Sequence, residues 1–497
     1  MKHIKYVIIL LFVVSIASSA TAKASQDFNA WIDQVVEVRY QCSDVDTTAV
    51  VIGPLLKEQT YATIKSGFYR SDGLWYRVVA VADNAFKGCT DLKEVIIPNT
   101  VTSIGNDAFS GCSSLSKLSL DSIRSIGVNA FRNCKSLKSV TIPNSVTTIG
   151  AYAFAGCGLE YIALPDSIET IDEGVLAWCK YLKDAYIGKK VISIGDHAFE
   201  GCLSLNNGTL LSGTKVTSIG YRAFASSGLR GLWMKRPLKI IGDEAFLSCE
   251  GMYDVYLPSS VVFIGDRAFG NTYLNEINIP DSVTHIGKEV FLGCRNLIKI
   301  DVSTGNLNYS SIEGVLYTKD KTRLICCPAG KRKIKICDSV TTIDDWACYE
   351  CDFETVTIPS FVTSIGESAF DGGGLGFKEV YCQAKVPPIA AEDAFYAPGA
   401  KSLYVPDGSE KLYEVADVWK DFGKINNVPT AVDSVIVDDF DVKIVDGCIC
   451  VGGEAPICVY DMQGRMVYYG NPTTIINLSS GLYIVVCERK SVKVMVP

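Results

Sequence analysis

The chain has 497 residues, of which 48% are hydrophobic and 21% charged, with 42 Gly and only 17 Pro, a composition that builds cores and excludes disorder. Its formal net charge of -8, with no basic block, lacks the electrostatic footprint that tracks phosphate backbones, so nucleic acid is excluded as a partner. The 3 histidines, His3, His197 and His285, leave no material for a histidine-rich metal site. Residues 1–22 read as a signal peptide: Lys2 and Lys5 precede an apolar core over 6–17, and Ser19-Ala20-Thr21-Ala22 supplies a small-residue cleavage site near Ala22. That apolar core is too short to span a bilayer, and no later run approaches about 18 apolar residues, so no transmembrane segment is expected in the mature chain. The nearest cysteine, Cys42, is too distant for a lipoprotein signal, so no N-terminal lipid anchor is expected.

Further along, Ala-Phe pairs recur at Ala85-Phe86, Ala108-Phe109, Ala130-Phe131, Ala153-Phe154, Ala198-Phe199, Ala223-Phe224, Ala245-Phe246, Ala268-Phe269, Ala369-Phe370 and Ala394-Phe395. The period is roughly 22 to 23 residues, the signature of a repeat architecture. Val175-Leu176, Val290-Phe291 and Ala347-Cys348 are degenerate copies. An Ile stands five residues before the aromatic, as at Ile104, Ile149, Ile264 and Ile365, and residues 137–157 spell the unit L-x-x-V-x-I-P-x-S-V-T-x-I-G-x-x-A-F-x-G-C almost in full.

In one unit, Val95 and Ile97 share a strand face while Glu94 and Ile96 share the other. Pro98, with no N–H to donate, ends the strand. A second extended piece over residues 101–104 meets Gly105, and the Ala-Phe pair falls in a tight helical or 3-10 turn that drives the ring inward. One such unit cannot bury its apolar face alone, so about a dozen copies must stack into a solenoid.

The 19 cysteines are odd in number. Cys89, Cys112, Cys134, Cys157, Cys179, Cys202, Cys249, Cys294 and Cys351 all stand three residues after the Phe position, hence on one column of the coil. A type repeated at one structural position reads as a small buried spine residue, not a metal ladder. Cys348-x-x-Cys351 falls in the same scheme, since Cys351 belongs to the spine and Cys348 takes a core Phe slot. No G-x-S-x-G, P-loop, G-x-G-x-x-G after a strand or H-E-x-x-H occurs. Gly372-Gly373-Gly374 stands where a turn belongs, most acids fall at outward positions, and His197 and His285 occupy variable ones. The reading is a non-enzyme with no cofactor and no metal.

From Val81 to about Ile425 the pattern resembles the BspA-like leucine-rich repeats of surface proteins from host-associated bacteria. The resemblance implies a leucine-rich-repeat solenoid over residues 81–425, each coil a β-strand plus a short helical or 3-10 turn, with residues 23–80 as an N-terminal cap. Tyr309-Ser310-Ser311-Ile312-Glu313-Gly314-Val315-Leu316-Tyr317 and the residues after it resemble that family's β-hairpin insertion, placed at about 303–335, and residues 403–422 resemble its closing segment. Beyond residues 426–430 the repeat vanishes. Tyr460-Asp461-Met462-Gln463-Gly464-Arg465, Leu478-Ser479-Ser480-Gly481-Leu482-Tyr483 and Lys493-Val494 resemble a C-terminal domain read by the type IX secretion machinery, so residues 433–497 are expected to form a small β-sandwich-like sorting domain. A terminal domain that only packs on the solenoid would carry the same alternation.

The outward strand positions are where such a scaffold presents chemistry. Tyr161, Tyr186, Trp233 and Tyr256, flanked by Asp184, Asp254 and Glu276, are expected to form an aromatic and acidic strip suited to sugar rings or to a protein partner. The same strip also follows from the general preference of sheet surfaces for aromatics. The resemblance implies an exported, cell-surface or secreted protein that binds a surface protein or glycan of a host or neighbouring cell. A glycan-capture component of a carbohydrate-uptake system and a structural envelope protein are the other two readings.

Overall fold

Each coil contributes one apolar strand residue and one apolar turn residue to a common column, and the coils stack because neither can be buried within its own coil. The computed structural model describes residues 30–32 and 38–427, apart from 235, 236, 352 and 373–377, together with the strands between 435 and 496. The expected signal peptide, Gly373 and Gly374, and residues 462–465 and 478–480 of the tail signature lie outside the described residues. The chain divides into two compact units, one of Met1–Glu354, Phe361–Phe377 and Ile389–Tyr396, the other of Thr355–Ser360, Lys378–Pro388 and Ala397–Pro497.

The first unit opens with Ala30–Ile32, Val38–Ser43 and Thr48–Pro54 paired antiparallel in that order. Thr48–Pro54 then pairs in parallel with Trp75–Val81, which begins the repeat ladder through Ser103–Ile104, Ser125–Ile126 and Thr148–Ile149. A second parallel ladder runs in register through Thr170–Ile171, Ser193–Ile194, Ser218–Ile219, Ile240–Ile241, Phe263–Ile264 and His285–Ile286. These strands are short because only the Ile is drawn into the core: Ile194, Ile219 and Ile241 are buried, while the residue before each faces outward.

Inside, the Phe rings stack coil on coil. Phe86, Phe109, Phe131 and Phe154 follow one another at 5.0, 5.3 and 5.3 Å, nearly parallel. Leu176 interrupts the stack, which resumes from Phe199 through Phe224, Phe246 and Phe269 to Phe291. The turn carrying each ring is a tight run of hydrogen-bonded turns in which N–H groups reach back three residues, as Lys87 does to Asn84 O and Cys89 to Phe86 O, without a regular helix. Left-handed residues flank the pair, as at Asn84 (φ 59) and Gly88 (φ 73), and stop any helix from propagating. They also turn alternate N–H groups toward the next coil, so that Asn84, Phe86 and Gly88 donate to the carbonyls of Asn106, Ala108 and Ser110 at 2.8, 2.6 and 2.8 Å. An Asp or Asn column adds a further tie: Asn106 N–H donates to Asp83 Oδ1, and Val128 N–H to Asn106 Oδ1.

The ladder is interrupted once by a hairpin. Tyr309–Ile312 and Val315–Thr318 pair antiparallel, Val315–Thr318 pairs with Arg323–Cys326, and Arg323–Cys326 re-enters the parallel ladder beside Thr342–Ile343, Ser364–Ile365 and Ile389–Ala390. In the second unit, Thr355–Ile358, Glu379–Cys382, Ser402–Val405 and Lys424–Asn427 form a parallel ladder. Its closing segment is anchored by buried Tyr413, whose hydroxyl donates to Ala384 O (2.7 Å), and buried Trp419, whose indole N–H donates to Pro388 O (2.7 Å). The tail strands form two four-stranded antiparallel sheets.

Candidate functional site

The outward residues of the expected strip fall on three separate strand pairs. Tyr161–Ala163 pairs with Asp184–Tyr186, setting Tyr161 beside Asp184 and Ala163 beside Tyr186. Gly231–Trp233 pairs with Asp254–Tyr256, setting Trp233 beside Tyr256. Between them residues 208–213 form turns, so the coil carrying Asn207 gives no strand and the strip is not continuous. Glu276 follows on Glu276–Ile279, directly beside Lys299.

Within each pair the side chains differ in freedom. Tyr161 and Tyr256 are 49% and 60% exposed. Tyr186, 39% exposed, donates its hydroxyl to Asp166 Oδ1 at 2.9 Å, which raises the phenol's pKa. The Asp166 carboxyl is lowered in turn, first by the Lys189 backbone N–H and then by Tyr186. Asp184 is held by Asn207, whose amide donates to it at 2.7 Å. Trp233 is half-buried: its ring lies so close over Gly208 that a Cβ there would sit 2.5 Å from it, and its indole N–H donates to Asp254 Oδ2 at 3.0 Å. The inward neighbours Leu232, Met234, Val255 and Leu257 are buried. Tyr161, Tyr256 and the exposed Asp254 and Glu276 are therefore the strip members that project from a fixed surface; Trp233 is shared between surface and support.

The two histidines part company. His285 is exposed and stacks on Phe263 at 4.5 Å. His197 is half-buried: its Nδ1 lies 2.6 Å from Glu200 Oε2, three residues along its own turn, and its ring meets Tyr221 of the next coil edge-on.

A second candidate region, which the repeat pattern did not mark, is a cleft of about 610 Å³ where the hairpin parts the ladder. Lys288, Tyr309, Arg323, Asp344, Trp346 and Tyr349 are among its walls. Arg323 grips Asp344 with two bonds of 3.0 and 2.8 Å. Burial raises the Asp344 carboxyl and Arg323 only partly offsets it. Tyr309 accepts the Ile286 N–H at 2.9 Å and keeps its own proton to donate. Trp346 packs on Tyr349 at 4.6 Å. The sequence signals for this cleft are the long gap in the repeat between Phe291 and Cys348 and the hairpin motif from Tyr309 that falls in it. Among the described residues no group of His, Cys, Asp and Glu could hold a metal ion, and no helix is long and apolar enough to cross a membrane.

A leucine-rich repeat protein from Bacteroides ovatus is 24% identical, and its crystal structure superposes with a TM-score of 0.58 over 81% of this chain and 100% of its own. A leucine rich cell surface protein from Faecalibacterium prausnitzii is 22% identical, with a TM-score of 0.35 over 82% of this chain and 97% of its own. No curated protein matches the sequence. Six copies of the BspA type leucine rich repeat region match residues 76–183, 175–298 and 329–416. With well over half of its length matched and a stacked-coil fold to go with it, the chain belongs to the BspA-type leucine-rich-repeat family.

Proposed function

We propose that this protein is an exported, non-catalytic surface protein that binds a protein on a host or neighbouring cell through the outward strand face bearing Tyr161, Asp184, Tyr186, Trp233, Asp254, Tyr256 and Glu276. The observation that carries this reading is the exposure of Tyr161 and Tyr256 on strands whose inward neighbours are fully packed, since rigid aromatics on a fixed surface are the usual hot spots of recognition. A host-protein and glycan array probed with the mature chain supplies the ligand. The variant Tyr161→Ala with Tyr256→Ala should then melt as wild type does, while each lost ring weakens binding by about thirtyfold, roughly 2 kcal/mol. Unchanged binding with an unchanged melt removes this face.

Glycan capture is the second reading, supported by the cleft, where Trp346 and Tyr349 stand beside Arg323 and Asp344. Binding of soluble polysaccharide that survives the double Tyr variant but not Trp346→Ala favours it. Export rests on the N-terminal pattern and the tail signature. Deleting residues 433–497 should leave a folded solenoid in the periplasm, and equal surface exposure of the truncated protein removes the type IX part of the reading.

A further inference from the structure

The aromatic column breaks where the hairpin enters, and cysteines fill the break. Along the column each ring residue donates its N–H to the residue preceding the ring of the next coil: Phe86 to Ala108 O at 2.6 Å, Phe269 to Val290 O at 3.0 Å. Cys327 makes that bond to Ala347 O at 2.6 Å, and Cys348 makes it to Ala369 O at 2.8 Å. The rings then resume at Phe370 and Phe395, 5.2 Å apart. Two successive places built for phenylalanine are thus held by Cys327 and Cys348, only 3% and 2% exposed. Cys351, 1% exposed, is a third thiol in the cluster, its Sγ 3.8 Å from Cys327 O and 3.7 Å from Pro328 O. The three thiols lie close enough for each to shift the titration of the others.

Cys327 and Cys348 differ from the cysteine spine, to which Cys351 belongs through its bond to Cys327 O. Spine thiols donate to the carbonyl of a ring residue one coil back, as Cys294 does to Phe269 O at 3.0 Å. Cys348 has only sulfur partners among the described residues. We infer that Cys327 and Cys348 are a disulfide-forming pair that cross-links the coil carrying the hairpin to the coil after it. Adjacent hydrogen-bonded chains lie about 4.8 Å apart, within the roughly 4.4–6.8 Å between Cα atoms that a disulfide spans. The two side chains leave one column in the same direction, and thiols in place of rings leave them room to meet. Tyr317 of the hairpin is fully buried near Cys327 and Cys348, its hydroxyl accepting the Cys337 N–H at 3.4 Å.

The chemistry is thiol–disulfide exchange with a low-molecular-weight disulfide such as oxidised glutathione. The Cys327 thiolate attacks one sulfur of that disulfide, forms a mixed disulfide and releases one small thiol. Cys348 then attacks the Cys327 sulfur and releases the second. The protein pair loses two protons and two electrons, and the small disulfide is reduced to two thiols. Burial raises the Cys348 pKa, but the Cys327 and Cys351 thiols bring it below the ordinary thiol range, which suits Cys348 to resolve the mixed disulfide from inside. Cys327 lines the cleft beside the hairpin, which gives the small disulfide its approach.

The test uses the full chain, reduced, then incubated with oxidised glutathione, alkylated in denaturant and digested with trypsin. Cleavage after Arg323, Lys331 and Lys335 separates the peptide of Cys326 and Cys327 from that of Cys337, Cys348 and Cys351. The expected product is those two peptides joined, two hydrogens lighter than their sum, with fragmentation placing the bond at Cys327 and Cys348. The joined peptide should vanish in Cys327→Ser and in Cys348→Ser and persist in Cys351→Ser, and oxidised wild type should melt above reduced. Full alkylation of both peptides at every oxidant concentration overturns the inference, as does a bond that fragmentation of the wild-type product places at Cys351 or Cys326.

Discussion

The thiol of Cys112 donates to the carbonyl oxygen of Phe86 in the preceding coil, 3.0 Å away. The same bond recurs from Cys134 to Phe109 (3.3 Å), Cys157 to Phe131 (3.0 Å) and Cys249 to Phe224 (3.0 Å). Each ring residue's carbonyl already accepts an N–H within its own turn, as Phe86 O does from Cys89, and the thiol takes its second lone pair. Where the column changes type the bond changes too: Thr272, a hydroxyl in a cysteine place, donates at 2.8 Å to Phe269 O of its own turn and not to the ring residue of the preceding coil.

This spine predicts alkaline weakening. Burial pushes Cys112 up to about 12 and Cys249 up to about 11, from an ordinary value of 9.0, and raises Cys179 and Cys202 well above it. Above pH 9 the unfolded chain releases these protons while the folded chain keeps them, so the folded state binds more protons and stability falls as pH rises. Urea midpoints measured from pH 8 to 10.5 should decline progressively, and a flat series would refute it.

Phe154→Ala should destabilise by roughly 3 to 5 kcal/mol, because the ring is fully buried and stacks on Phe131 at 5.3 Å with no outward atom to compensate. Chemical denaturation at neutral pH measures it; a loss below about 1 kcal/mol would mean the column relaxes around the hole.

An ionic ladder crosses three coils on the turn face. Arg222 bonds Glu200 Oε1 at 2.8 Å and also Glu244, while Glu200 is only 7% exposed. Arg222→Met should cost about 2 kcal/mol by stranding that buried carboxylate, and adding Glu200→Gln should restore most of the loss. Equal stability of the single and double variants would show that solvent reaches Glu200 freely.

Two glycines should fail for different reasons. A Cβ on Gly127 would lie 2.6 Å from Gly105 C and 2.7 Å from Asn106 N, backbone atoms of the preceding coil, so Gly127→Ala should cost about 2 to 3 kcal/mol through coil separation. Gly88 has open space around it but φ +73, so Gly88→Ala should cost only about 1 kcal/mol of left-handed strain. Comparable losses at the two sites would contradict this distinction.

The amino-acid sequence by itself determined the repeat, its inward Ile and Phe columns and the place of the cysteine spine. Every coil must bury the same two positions against its neighbours, so the constraint is written out anew about every 22 to 23 residues and survives local degeneracy such as Val175-Leu176. It placed Tyr161 and Tyr256 outward by the same alternation. What it could not carry is any relation set by how one coil meets another. Residues 208–213 form turns, which splits the strip, and Trp233 lies down on Gly208; both depend on the shape of a neighbouring coil. His197 found Tyr221 in the same way. Cys327 is the clearest case: counting from Phe291 fails across the hairpin, and only the through-space bond to Ala347 assigns it to the aromatic column beside Cys348. A periodic pattern fixes which residues face the core, but an insertion resets the count, and thereafter hydrogen bonding between coils decides which side chain occupies which place.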